Sequence, residues 1–170
     1  MGNQVRIGVR IARTADASAL AAFFIQAWKE AGPGSLGFTG ATYEEVKDVA
    51  SIEFLTKRLA SPKVRFVVGE SEDRVLGFAS LRDEGKAEGE LSGIVVLQSA
   101  SGMGLGTKLL HKSFAVAASL GIRVLTVKTE TFNQRAIGFY KKNGFVETKK
   151  SVQKVGKTRV PVLMLEKKLR

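Results

Sequence analysis

Cysteine is absent from the 170 residues and histidine occurs once, as His111. The first absence excludes a disulfide framework, a thiolate nucleophile and any Cys-based metal centre, and the second excludes a histidine cluster, so no metal site is expected. Long apolar runs are also missing. The longest, around Ala19–Ile25 and Ala115–Leu120, fall well short of the roughly 20 residues that a membrane span needs, and the opening residues show no signal-peptide pattern. A reducing cytoplasm is the expected location. Acid is scarce as well, with 16 Asp or Glu against 27 Lys or Arg and a net charge of +11. Between Lys141 and Arg170 ten basic residues face only Glu147 and Glu166. Such a surface can steer an anionic ligand, an acidic protein or a nucleic acid. Aromatics are sparse there and no nucleic-acid module signature is present, so a solvated face is preferred and nucleic-acid binding is kept as a lesser alternative.

At 44% hydrophobic and 25% charged, residues 1–170 have the size and composition of one globular domain with a sizeable core. Its most informative stretch is an apolar strand ending Ile94-Val95-Val96-Leu97, then Ser101-Gly102-Met103-Gly104-Leu105-Gly106, then a helix expected from about Thr107. Alternate glycines admit backbone conformations that a β-carbon forbids and let N–H groups approach a ligand closely. At a helix start those N–H groups lack intrahelical partners and carry partial positive charge, which suits a phosphate. Two common phosphate motifs do not fit. A Walker loop ends Gly-Lys-Ser/Thr, whereas this loop ends Gly106-Thr107-Lys108, and a dinucleotide fingerprint wants glycine where Thr107 stands. Glu130, at the end of the next strand, leaves a dinucleotide-binding oxidoreductase as a weak alternative.

A second segment follows downstream: Asn133-Gln134-Arg135-Ala136-Ile137-Gly138-Phe139-Tyr140-Lys141-Lys142-Asn143-Gly144-Phe145. Taken with the glycine loop, it closely resembles the GCN5-related N-acetyltransferase (GNAT) superfamily. In that family an Arg/Gln-x-x-Gly-x-Gly/Ala loop holds the pyrophosphate of acetyl-CoA, and an Asn-x-x-Ala-x-x-Phe-Tyr-x-x-x-Gly-Phe segment lines the pantetheine and thioester. The second pattern is matched by Asn133, Ala136, Phe139, Tyr140, Gly144 and Phe145. In the first, the Arg/Gln position is occupied by Ser101, and Gln98 stands where proline is frequent. The resemblance implies acetyl-CoA as co-substrate, held by Val95, Val96, Ser101, Gly102, Met103, Gly104, Leu105, Gly106, Thr107, Asn133 and Tyr140. It also implies an α/β fold, a mixed and mostly antiparallel sheet flanked by helices in the order β-α-α-β-β-β-α-β-α-β-β.

The rest of the chain reads consistently with that order. Val5, Ile7, Val9 and Ile11 alternate with polar residues over Gln4–Ile11, a strand with one buried face. Thr14 or Asp16 offers a cap for a helix carrying Ala19, Leu20, Phe23, Phe24 and Trp28. After a glycine-rich loop at 32–41, Thr42 with Glu45 forms a capping-box pattern for a second helix running to about Leu59, and Pro62 marks its exit. Strands Val64–Glu70 and Val75–Leu81 flank the turn Ser71–Arg74. A third, from about Lys86 to Val96, follows a turn at Asp83–Gly85. Gly121 ends the helix after the loop, Val124–Val127 form a buried strand, and Asn133 and Gly144 bound the next helix. Gly138 within that helix suggests close packing by a neighbour. Phe145–Val155 and Thr158–Leu169 read as a final hairpin.

Acetyl transfer from a thioester to an amine needs a free amine, stabilisation of the developing oxyanion and a proton for the departing thiolate. Without cysteine or a Ser/His/Asp constellation, direct attack in a ternary complex fits better than a covalent enzyme intermediate. The resemblance implies Tyr140 as general acid and a backbone N–H near Val95 or Val96 as oxyanion donor. For the base it points to Glu90, with Glu88 two residues earlier on the same strand face. The expected partner is a small-molecule or peptide amine, the expected assembly a monomer or homodimer, and a basic nucleic-acid- or protein-binding module on the same fold is the competing function.

Overall fold

A computed structural model describes residues 6–31, 47–155 and 157–170. Strand β1 is Gly8–Ile11; of the rest of the expected strand, Arg6 and Ile7 are irregular and Gln4 and Val5 lie outside the described residues. A 3₁₀ turn, Thr14–Asp16, leads into helix α1, Ala17–Ala31. The Arg10 guanidinium ties this corner together. It donates to both Asp16 carboxylate oxygens (2.8 and 2.9 Å) and to both of Glu70 (2.8 Å each), so β1, the start of α1 and the next strand share one cation.

Helix α2 is Ile52–Ala60 and is capped by Ser51, whose Oγ accepts the Phe54 N–H at 3.2 Å. The single helix expected to run unbroken to about Leu59 is therefore corrected, while its expected cap at Thr42 and Glu45 lies outside the described residues. Lys47–Ala50 form a 3₁₀ turn, and α2 starts only where a serine satisfies its first free donor. Strands β2, β3 and β4 are Val64–Ser71, Arg74–Gly85 and Glu88–Val96. The β2–β3 turn places Glu72 and Asp73 at φ +50° and +62°, the backbone that a two-residue hairpin requires. The next turn falls on Lys86 and Ala87, both at positive φ, rather than on Asp83–Gly85, so β3 runs four residues beyond Leu81.

Helix α3 (Leu105–Ser119), β5 (Val124–Glu130), α4 (Gln134–Lys142), β6 (Val146–Val155) and β7 (Thr158–Lys168) complete the chain. The seven strands lie in the order β1-β2-β3-β4-β5-β7-β6, and every neighbouring pair is antiparallel except β4 with β5. This is the mixed, mostly antiparallel arrangement expected, with helices on both faces.

On one face Phe23 and Phe24 of α1 pack edge-on or tilted against Phe78, which also meets Phe66. On the other, α3 lies close to the sheet over glycine. A β-carbon on Gly77 would stand 2.9 Å from Leu105 Cδ2 and 3.0 Å from Leu109 Cδ1, closer than packed atoms tolerate. Leu105, Leu109 and Leu110 are fully buried there. No helix among the described residues is long and apolar enough to cross a membrane.

Candidate active site

The site begins where two parallel strands part. Strand β4 pairs with β5 from Glu88↔Val124 to Leu91↔Val127 and no further, although β4 continues to Val96 and β5 to Glu130. On its other edge β4 stays paired with β3 up to Val96↔Gly77, and the Leu97 N–H donates to Leu76 C=O at 2.9 Å. In an antiparallel ladder successive N–H groups point to opposite edges. Counting back from Leu97, the Val95 N–H faces β3, whereas those of Val96 and Ile94 face the open edge. Of the two oxyanion-donor candidates only Val96 is oriented into the gap, and Ile94, not singled out from sequence, joins it.

The glycine loop follows directly. Gly102 and Gly104 have φ of +77° and +74°, and Gly104 is the N-cap of α3 with no side chain to offer. The helix starts at Leu105, two residues before the expected Thr107, because its first intrahelical bond is already Lys108 N–H to Gly104 C=O at 3.1 Å. The N–H groups of Leu105, Gly106 and Thr107 thus precede any helical partner. A β-carbon on Gly102 or Gly104 would meet nothing within 4 Å, so open space lies over this backbone. That is the cradle a phosphate needs.

Helix α4 forms the facing wall. Asn133 caps it, its Oδ1 accepting the Ala136 N–H at 3.1 Å, while its Nδ2 donates to Glu130 at 3.4 Å. Glu130, 5% exposed, also accepts from the Thr129 hydroxyl at 3.3 Å. Tyr140 is 5% exposed and wedged edge-on between Phe139 and Phe145, and its hydroxyl makes no hydrogen bond among the described residues. Burial first, and the nearby Glu130 carboxylate second, hold its phenol well above the usual tyrosine range. The close packing expected around Gly138 is absent: a β-carbon there would touch nothing within 4 Å.

These parts enclose a cavity of about 420 Å³. Of the expected site residues it brings together Val95, Val96, Ser101, Gly106, Asn133 and Tyr140. Gly102, Met103, Gly104 and Thr107 are exposed on the loop beside it, and Leu105 is buried in the core, leaving only its backbone available. Glu90 does not line it. Its carboxylate is held by Lys128 Nζ at 3.0 Å and by Arg82 at 3.6 Å, and Glu88 is exposed at the strand start.

Among the lining residues not expected from sequence, two are charged. Glu30, on the last turn of α1, accepts the Gln98 N–H at 2.8 Å and the Gln26 amide at 2.9 Å. Arg135, on the first turn of α4, approaches Ser101 Oγ at 3.5 Å. No motif marks Glu30, whereas Arg135 lies inside the segment already singled out.

Comparison with known proteins agrees with this geometry. Over 147 residues the chain is 27% identical to the uncharacterized N-acetyltransferase YhfO of Bacillus subtilis, covering 83% of this chain and 91% of that one. A shorter match of 29% over 90 residues, 52% of this chain and 59% of the relative, is to an IAA acetyltransferase of Azospirillum brasilense. Among solved structures, PaiA N-acetyltransferase of Thermoplasma acidophilum in complex with coenzyme A superimposes with a TM-score of 0.74 at 19% identity, over 96% of this chain and 99% of that one. YncA, a putative acetyltransferase of Salmonella typhimurium with acetyl-CoA, gives 0.75 at 20% identity, over 96% and 94%. Residues 26–145 match the model of the acetyltransferase (GNAT) family, and with the parted strands, the glycine cradle and the capped α4 all inside that span, the chain belongs to the GNAT family of acetyltransferases.

Proposed function

We propose that the protein moves an acetyl group from acetyl-CoA to an amine by direct attack within a ternary complex. The observation that carries this reading is the continuity of one cavity from the glycine cradle, past the open edge of β4, to Tyr140. The coenzyme A and acetyl-CoA bound by the PaiA and YncA structures support the choice of co-substrate. Acetyl-CoA supplies the thioester carbonyl and the thiolate leaving group. The cradle N–H groups of Leu105, Gly106 and Thr107 bind phosphate, the loop positions Gly102 and Gly104 leave room for it, and Asn133 and Tyr140 flank the pantetheine arm. The open-edge N–H of Val96, with Ile94 two residues before, donates to the carbonyl oxygen as negative charge develops there.

Tyr140 serves the leaving sulfur. A phenol held above its usual range stays protonated throughout the neutral and mildly alkaline range, so the donor is always present. It is also a weaker acid than an alkyl thiol, so its contribution is a hydrogen bond to the thiolate more than complete proton transfer. On the amine side, Glu30 is the carboxylate that lines the cavity, placed to orient an ammonium and to take its proton through water. Glu90, engaged by Lys128 and Arg82, acts at longer range as the alternative base.

A panel of amines, from amino acids and polyamines to peptide N-termini, assayed with acetyl-CoA for release of the CoA thiol, tests the reading. Thiol release that requires one amine class supports it. No thiol release with any amine, together with no calorimetric binding of CoA, would refute it.

A further inference from the structure

We infer that Arg135 supplies, from the first turn of α4, the cationic contact to the CoA pyrophosphate that the glycine loop cannot make through Ser101. The inference rests on the acetyl-CoA reading above and concerns how this chain completes the phosphate site.

The loop Ser101–Gly106 offers backbone donors and one hydroxyl but no charged side chain. Ser101 has a short neutral side chain at the position before Gly102, and Met103 beside it is apolar and 45% exposed. Across the cavity, Arg135 reaches over 34 residues of sequence to within 3.5 Å of Ser101 Oγ, so its guanidinium stands beside the loop position that lacks a charge. Both Ser101 and Arg135 line the same cavity as Gly106, whose N–H precedes the first intrahelical bond of α3.

Local electrostatics give no other reason for this arginine. It sits near the positive end of α4, where a cation is unfavourable, and the first turn of that helix carries no acid. No carboxylate pairs with it among the described residues, although the chain's other cations close to acids, such as Lys141 with Glu147 at 2.6 Å, do pair. Helix α3 likewise has no acid in its first turn. Two helix N-termini and a guanidinium with no carboxylate partner among the described residues therefore meet at the Ser101 side of the cavity, an arrangement that suits a multiply charged anion. A guanidinium offers a planar fork of donors that suits adjacent phosphate oxygens.

The test is calorimetric binding of CoA to the parent, Arg135→Ala, Arg135→Lys and the double variant Ser101→Arg/Arg135→Ala, at several salt concentrations, with pantetheine measured by displacement. Arg135 is exposed, so the variants should fold as the parent does. Arg135→Ala is expected to weaken CoA binding by about 10–100-fold, the scale of a hydrogen bond to a charged group. The dissociation constant of pantetheine, which lacks the pyrophosphate, should be the same for both once the displacement is corrected for the CoA affinity of each. Lysine should retain part of the affinity, and arginine at 101 should restore most of it while steepening the salt dependence again. A CoA affinity within threefold of the parent, an equal loss for pantetheine, or no recovery in the double variant would overturn the assignment. Failure of the parent itself to bind CoA would instead strike the acetyl-CoA reading.

Discussion

Replacing Gly104 by alanine separates what the cradle costs the fold from what it gives the ligand. The residue is the N-cap of α3 at φ +74° and ψ 8°, in the left-handed region. A β-carbon there meets nothing within 4 Å, so no clash contributes and the penalty is conformational alone. For a non-glycine residue that is about 1–2 kcal/mol. A domain of this size loses about 2–4 °C of Tm per kcal/mol, so the variant should melt about 2–8 °C lower and stay folded at 25 °C. Binding should suffer separately. The new methyl either stands over the phosphate-facing backbone or is avoided by a change of φ that re-aims the N–H groups of Leu105, Gly106 and Thr107. Each such contact is worth about 0.3–1 kcal/mol, up to about 2 kcal/mol when partly buried. At about 1 kcal/mol each, losing one or two weakens CoA by about 5–30-fold. Differential scanning calorimetry measures the first quantity and isothermal titration the second, on the same preparation. A variant that melts lower by the expected amount yet binds CoA within twofold of the parent would show that the open space over Gly104 is not where phosphate lies.

Tyr140→Phe keeps the ring packed between Phe139 and Phe145, so CoA affinity should hold while kcat and kcat/KM fall together by about 10² or somewhat less, as single-turnover kinetics would show. Because burial and Glu130 keep the Tyr140 phenol above its usual range, an alkaline limb below about pH 10 belongs to another group, and the Phe variant should lower the pH–rate profile without moving that limb. The same raised value makes the parent's stability fall as pH rises above about 10, where the unfolded phenol ionises first, and the Phe variant should lose less there in alkaline denaturation. Arg10 holds the Asp16 carboxyl below its usual range, so its contribution is present above about pH 4 and is lost as pH falls through the lower folded value. Asp16→Asn should cost about 1.5–3 kcal/mol at pH 7 by denaturant unfolding, and an unchanged acid midpoint would refute this. Gly138→Ala, in an exposed helix position with free space, should stabilise by about 1 kcal/mol, whereas Gly77→Ala should destabilise by about 1–3 kcal/mol by forcing Leu105 and Leu109 off the sheet.

Much of the molecule was readable along the chain wherever the deciding interaction spans a few residues. The β2–β3 turn, the Asn133 cap, the positive φ at Gly102, Gly104, Gly121 and Gly144, and the apolar face of α3 follow from backbone freedom, capping chemistry and periodicity. The same local logic did not foresee that the chain turns as a 3₁₀ segment at Lys47–Ala50 and that Ser51 caps a separate helix, so one unbroken helix does not run up to Leu59. Whether Gly138 was packed against anything could not be read from the helix that contains it.

What only the tertiary structure decided is which groups share the cavity. The parting of β4 from β5 after Leu91 depends on pairing across 36 residues, and it leaves the N–H groups of Val96 and Ile94 facing a gap, while the β3–β4 ladder turns that of Val95 to β3. Glu90 looked available on its strand but is engaged by Lys128 and Arg82 from the two neighbouring strands. Glu30 and Arg135 reach the cavity from helices on opposite sides of the sheet edge, brought there by the packing of α1 and α4. Local sequence specifies conformational preference, because that is governed by each residue's own dihedrals and its near neighbours. The composition of the site is set by side-chain burial and strand pairing between distant segments, where no single stretch of chain holds both partners.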